Sequence, residues 1–141
     1  MVSCGEAISL TPRSDDDLNS AVVAAAVERD FEVLVGNTIS TDDYYEAQAR
    51  MDGAFCDFDR AKRMEYLTRA HDQHGVRNFE MEATLFLSFC HRAQVSAAVV
   101  CVTYLDRLKG DRNNDQIPDD MDAFEERPLD TILQYIINDT K

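Results

Sequence analysis

The run VSAAVVCVTYL, Val95 to Leu105, constrains the fold of this chain more than any other stretch, because it is apolar almost throughout and shows no alternation. It is about half the ~20 residues that a membrane-spanning helix needs. A non-alternating strand is apolar on both faces, and such strands occur where helices cover a parallel sheet from both sides. The run therefore predicts a layered α/β architecture, and the rest of the chain supplies the alternation such a fold requires. SDDDLNSAVVAAAVERD predicts a helix, with an N-cap among residues 14–17 and acidic residues in its first turn. FEVLVGNTIS, Phe31 to Ser40, is rich in β-branched residues and predicts a strand. DFDRAKRMEYLTRAHDQHG predicts a helix capped by Asp57 or Asp59 and stopped at Gly75. VRNFEME predicts a strand and ATLFLSFCHRAQ a buried helix. RPLDTILQYIIND predicts a last helix, with Pro128 near its start and Leu129, Ile132, Leu133 and Ile136 on one apolar face.

With 141 residues, 45% of them apolar and 29% charged, the chain has the make-up of one soluble globular domain over 1–141. Fourteen basic residues against 27 acidic ones leave a net charge of −13, which excludes nucleic acid and anionic membranes as partners. Acidic residues gather at Asp15–Asp17 and in DRNNDQIPDDMDAFEE, and both runs read as solvated loops or helix starts. Cys4, Cys56, Cys90 and Cys101 lack CxxC spacing, and two lie in apolar runs; buried free thiols in a reducing compartment are expected. The N-terminus has no basic segment and carries Glu6, against a signal peptide, so a cytoplasmic location is expected.

Glu80 and Glu82 stand at the mouth of an apolar run where neither belongs on hydropathy grounds. In a strand, residues two apart share a face, which would bring Asn78, Glu80 and Glu82 to one side with the carboxylates about 7 Å apart. That pairing is tolerable where water, a hydrogen-bond donor or a polar ligand such as a sugar with vicinal hydroxyls meets them. A simply solvated strand end satisfies the same pattern.

Three tracts in register, VGNTISTDDYYEAQARMDGAFC, VRNFEMEATLFLSFC and AAVVCVTYLDRLKGD, resemble the C-terminal half of an animal-type uridine phosphorylase, within the nucleoside phosphorylase superfamily. The resemblance implies a three-layer α/β fold with a central mixed sheet, truncated at the N-terminus. It implies phosphorolysis of uridine to uracil and ribose 1-phosphate, with phosphate as co-substrate and no cofactor or metal. In the uracil site it places Gln48 on the base edge, Arg50 on a carbonyl oxygen and Tyr44 stacked on the ring. Arg107 would back up base recognition, with Tyr104 and Leu105 as an apolar wall. In the ribose site it places Glu82 on the hydroxyls, Met81 beside the sugar and Glu80 in support. Arg50 and Glu82 would be the catalytic pair, and a homo-oligomer is expected by resemblance.

The family's phosphate-binding N-terminal half has no counterpart before Met1, so the resemblance also admits a non-catalytic nucleoside-binding or interaction module. Ala47 replaces a family glycine in the uracil motif, and LKGDRNNDQI is about four residues longer than the family turn. His71 and His74, with Cys90–His91, suggest zinc only weakly, because no fourth ligand has matching spacing. DRNNDQIPDDMD has calcium-loop residues at Asp111, Asn113 and Asp115, but Gln116 replaces the turn glycine and Pro118 interrupts, so a solvated loop is the expectation.

Overall fold

A computed structural model describes residues 2–111 and 121–140. In chain order the elements are β1 (Val2–Ser3), β2 (Glu6–Ala7), α1 (Asp16–Glu28), β3 (Asn37–Ser40), α2 (Arg60–His74), β4 (Val76–Glu80), α3 (Ala83–Ala93) and α4 (Met121–Asp139). β1 and β2 form a small antiparallel hairpin that the sequence reading did not anticipate, with Cys4 and Gly5 at positive φ in the turn. β3 and β4 pair in parallel, Thr38 opposite Asn78 and Ser40 opposite Glu80. The α/β class is as expected, on a parallel sheet of two strands.

Local chemistry sets the helix ends. Asp15 caps α1 by accepting the Leu18 amide at 2.9 Å, and its second oxygen takes the Ser96 hydroxyl at 2.8 Å. Those bonds hold its carboxyl below the ordinary range. Asp59 caps α2 through the Lys62 amide at 2.8 Å, and Gly75 closes it in the left-handed conformation that glycine adopts without strain. α4 packs on α1, where Arg29 meets Asp130 at 3.1 Å and the Gln134 and Asn138 side-chain amides share Glu28 Oε2.

Several expectations fail in one direction. Val95–Leu105 is not laddered into a sheet, and neither are residues 31–36, although both runs proceed without turn, bend, helix or positive φ. A strand is defined by its neighbour, and among the described residues these runs have none. Leu34 is 68% exposed, Cys101 is exposed and Cys90 half-buried, against the expected buried thiols. Leu85, Phe86 and Phe89 of α3 face outward rather than into a core, and so do Leu129, Leu133 and Ile136 of α4. Pro128 lies inside α4, seven residues from its start, where it removes one helical bond that a start position would have spared. The buried apolar residues are mostly alanines, with Val22, Leu67 and Val76.

The β3–β4 pairing depends on one close approach. A Cβ on Gly36 would lie 2.5 Å from the Gly75 carbonyl oxygen and 2.4 Å from Arg77 Cγ. The carbonyl belongs to backbone that also receives the Asn37 amide at 3.0 Å, so it cannot withdraw without loosening the start of the ladder. Gly36→Ala is expected to destabilise the chain by about 1–3 kcal/mol, measured by urea unfolding, with an unchanged midpoint counting against this packing.

Candidate functional site

The residues expected at a base site lie on the loop after β3. Gln48 and Arg50 are each only 5% exposed, deep burial for a loop carrying an amide and a guanidinium. The backbone between them needs an unusual turn, and Ala49 makes it in the left-handed region at φ 52. That position, rather than Ala47, carries the backbone demand. Arg50 reaches both Asp52 carboxylate oxygens at 3.1 Å, donates to the Asp111 carbonyl, and lies over the Tyr44 ring with 4.2 Å from its guanidinium carbon to the centroid. Burial works against its charge, but Asp52 and Asp111 outweigh burial and push its pKa up.

Beneath this loop lies a charge hub that sequence reasoning missed. Asp111 Oδ1 accepts Arg63 Nη2 at 2.6 Å and Arg107 Nε at 3.0 Å, while Oδ2 takes the Met51 amide at 3.0 Å. Arg63, on α2 and 4% exposed, also donates to the carbonyls of Ala49 and Arg107. Arg107 donates in turn to the Gln48 carbonyl at 2.7 Å and stands over the Phe79 ring. Burial alone would raise the Asp111 carboxyl, but the Met51 amide and the Arg63 and Arg107 guanidiniums hold it below the ordinary value. For Arg107 burial prevails over Asp111 and lowers its pKa. In sequence Arg63 is one more charge on a polar helix and Asp111 the head of an acidic run, so neither carried a signal. The solvated reading of that run fails at Asp111; residues 112–120 of the calcium-like loop, with most of the expected insertion, lie outside the described residues, and Asp122 stands in the first turn of α4.

The pentose-site residues sit at the β4–α3 junction. β4 ends at Glu80, so the strand geometry that put Asn78, Glu80 and Glu82 on one face applies only to the first two. Glu82 occupies the N-cap position of α3, and Glu80 does the capping: its Oε2 accepts the amides of Glu82 at 2.7 Å and Ala83 at 2.6 Å. An acidic group there meets the positive end of the helix dipole as well as unpaired amides. Glu80 Oε1 is buried without a partner. Glu82 Oε2 accepts the Met81 amide at 3.1 Å, and Met81 is exposed. Both glutamates stay in the same neighbourhood, since each raises the Cys101 thiol, whose pKa is pushed up first by burial.

One residue joins the two tracts. Thr41 donates its amide to the Glu80 carbonyl at 2.9 Å, and its hydroxyl oxygen receives Gln48 Nε2 at 3.1 Å. Gln48, Thr41 and Glu80 thus form one hydrogen-bonded line from base tract to pentose tract. Tyr104, expected in an apolar wall, is exposed and donates its hydroxyl to Glu125 of α4 at 3.1 Å, while Leu105 is half-buried. A cavity of about 530 Å³ between residues 31–38 and 98–103, and a smaller one between α2 and Glu46–Ala49, have no lining from Gln48, Arg50 or Glu82. No group of three potential metal ligands occurs among the described residues, and His71 pairs with Asp72. No described helix is long and apolar enough to cross a membrane.

Comparison with known proteins places the chain in a family. Residues 5–137 match the model of the phosphorylase superfamily. Human uridine phosphorylase 2 is 48% identical over 107 residues, which is 75% of this chain and 33% of the relative. A uridine and thymidine phosphorylase of Caenorhabditis elegans is 37% identical over 140 residues, 99% of this chain and 46% of the relative. The crystal structure of a Schistosoma mansoni uridine phosphorylase with thymine superposes with a TM-score of 0.89 at 29% identity, over 99% of this chain and 49% of that one. The chain spans a third to a half of the length of these relatives, and it belongs to the phosphorylase superfamily.

Proposed function

We propose that this chain carries the uracil- and ribose-binding half of a uridine phosphorylase site, with phosphate as the attacking co-substrate and no further cofactor. The observation that carries the reading is the line Gln48–Thr41–Glu80, which ties a base-matching amide to the main chain of the residue whose carboxylate is suited to a sugar. An amide side chain offers one donor and one acceptor, the complement of the imide edge of uracil. As the glycosidic bond breaks, the base becomes anionic and the sugar cationic. Arg50, oriented by Asp52, stabilises the first charge, and Glu82 with Glu80 fixes the hydroxyls of the second for in-line attack. The unpartnered Glu80 Oε1 is an acceptor of the kind a ribose hydroxyl satisfies. Arg107 acts through the Gln48 carbonyl, positioning the amide rather than meeting the base. A cytoplasmic homo-oligomer remains part of the proposal.

A second reading is a nucleoside-binding or interaction module without turnover, in which Arg50 stays committed to Asp52 and Asp111. Incubation of the purified chain with uridine and phosphate, with uracil release followed by absorbance, separates the two; binding without release selects the module. Titration calorimetry with uracil and uridine tests the site under either reading. Arg50→Ala is expected to weaken both ligands by ~10-fold or more, the scale of a lost charge-assisted hydrogen bond. Glu82→Ala is expected to weaken uridine while sparing uracil. Unchanged affinities in Arg50→Ala would remove the base site from this loop.

The Asp111 hub gives the site an acid limit. A carboxyl whose pKa is lowered on folding contributes its full stability above the unfolded value of about 3.9 and loses it as pH falls through the folded value. Thermal unfolding of the native chain is therefore expected to fall steeply below pH ~4. Asp111→Asn is expected to lose about 3 kcal/mol at pH 7, because the buried Arg63 and Arg107 guanidiniums lose the charge they bond, and to show a shallower acid decline. Equal slopes in the two proteins would count against the hub.

A further inference from the structure

A hydroxyl has one proton to give and lone pairs to receive with, and the neighbours of the Thr41 hydroxyl decide how each is used. The Asp43 carbonyl oxygen lies 2.8 Å from it and the Glu80 carbonyl oxygen 3.4 Å. Both can only accept, so the proton goes to a carbonyl, and Asp43 is the closer. The remaining neighbour is the end of the Gln48 side chain, at 3.1 Å. With its proton already placed, the hydroxyl can only accept there, so the amide turns its nitrogen to Thr41. The opposite orientation would press two oxygens together with no proton between them, at a place where Thr41 and Gln48 are both buried. The hydroxyl itself is held where β3 leaves the ladder, because the Thr41 amide donates to the Glu80 carbonyl at 2.9 Å.

What Gln48 keeps for a ligand follows from that choice. Nε2 has two N–H bonds and one is taken by Thr41. Oε1 accepts no hydrogen bond among the described residues and is not one of the buried atoms left without a partner, so it is open to an incoming donor. Arg50 adds donors nearby: Asp52 takes Nε and Nη2, the Asp111 carbonyl takes Nη2 as well, and Nη1 is uncommitted among the described residues. An open acceptor accompanied by donors matches a base edge that sets a ring N–H beside a carbonyl, as uracil does. Cytosine has a bare ring nitrogen at that position, and its lone pair would face Oε1. We infer that Thr41 is a specificity-determining residue, which locks the Gln48 amide with Oε1 free and so selects pyrimidines carrying a ring N–H over those carrying a bare ring nitrogen. It acts through Gln48 and does not meet the base, so its role is positioning. The inference deepens the proposed base site and rests on it.

The test compares the unsubstituted chain with Thr41→Val and Thr41→Ser. Valine keeps the shape of the side chain and the main-chain bond to Glu80 but has no hydroxyl; Thr41→Ala replaces it should it fail to fold. Two quantities are read: the order of the Gln48 side-chain amide without ligand, by nitrogen relaxation in NMR, and the ratio of the cytosine and uracil dissociation constants, by titration calorimetry. The amide is expected to be ordered in the unsubstituted chain and in Thr41→Ser, and mobile in Thr41→Val. The preference for uracil over cytosine is expected to fall at least ~10-fold in Thr41→Val, and to stay within about 3-fold of the original in Thr41→Ser. A residue that only supports the loop would weaken both bases together and leave the ratio unchanged. An unchanged ratio in Thr41→Val, or a mobile Gln48 amide in the unsubstituted chain, overturns the inference. No uracil binding by the unsubstituted chain overturns the base reading and the selection with it, while the amide order, read without ligand, still decides the lock.

Discussion

Three guanidinium groups gathered on Asp111, two on its carboxylate and that of Arg50 on its main-chain carbonyl, hold the loop after β3 in place. Arg50, Arg63 and Arg107 come from a loop, a helix and a turn far apart in sequence, and their mutual repulsion in a half-buried setting would scatter them if Asp111 were neutral. The bonds are not redundant. Asp111 fixes the arginines, Arg63 carries the constraint to the Ala49 carbonyl, and Arg107 carries it to the Gln48 carbonyl. The conformation of the base loop is therefore set by charges outside the loop, and the left-handed Ala49 is held in place by the same network.

The glutamates that looked out of place in the sequence have a structural occupation. Glu80 offsets its desolvation by accepting two amides at the start of α3, where any helix leaves donors without partners. One oxygen is spent on that cap and the other is left buried and unpaired, so a single side chain both starts a helix and faces a site. Charge at this junction is felt elsewhere: partial burial, and then both carboxylates, push the Cys101 thiol pKa up.

What was legible in the sequence divides along a physical line. The ends of α1 and α2 followed from Asp15, Asp59 and Gly75, because a cap is a bond between near neighbours. The three tracts were recognisable as motifs; Thr41 bonds the first to the second, and Arg107 ties the third to the Gln48 carbonyl. The runs 31–36 and 95–105 were read as strands from composition, but strand pairing is a property of two segments, and composition describes one. The same reasoning explains α3, whose phenylalanines were assigned to a core that these residues alone do not enclose. Asp111 was read as solvent-facing because its neighbours in sequence are polar; its neighbours in space are arginines. Glu82 was read as a strand residue because the period-two pattern continues past the point where Glu80 turns the chain into a helix.

The two sides of the site differ in how finished they are, and that difference bears on the proposed chemistry. Gln48 and Arg50 are buried and tied by bonds wholly internal to the described residues, so the shape of this loop is set without a ligand. The pentose side ends at exposed Met81 and at the cavity wall around Cys101. Preorganisation favours binding of the group it matches and adds little to a reaction whose other partners are unfixed. On the proposed reading, a base is met by a buried, internally bonded loop and a sugar by a more open junction, so affinity for uracil and turnover of uridine are separable properties of one site.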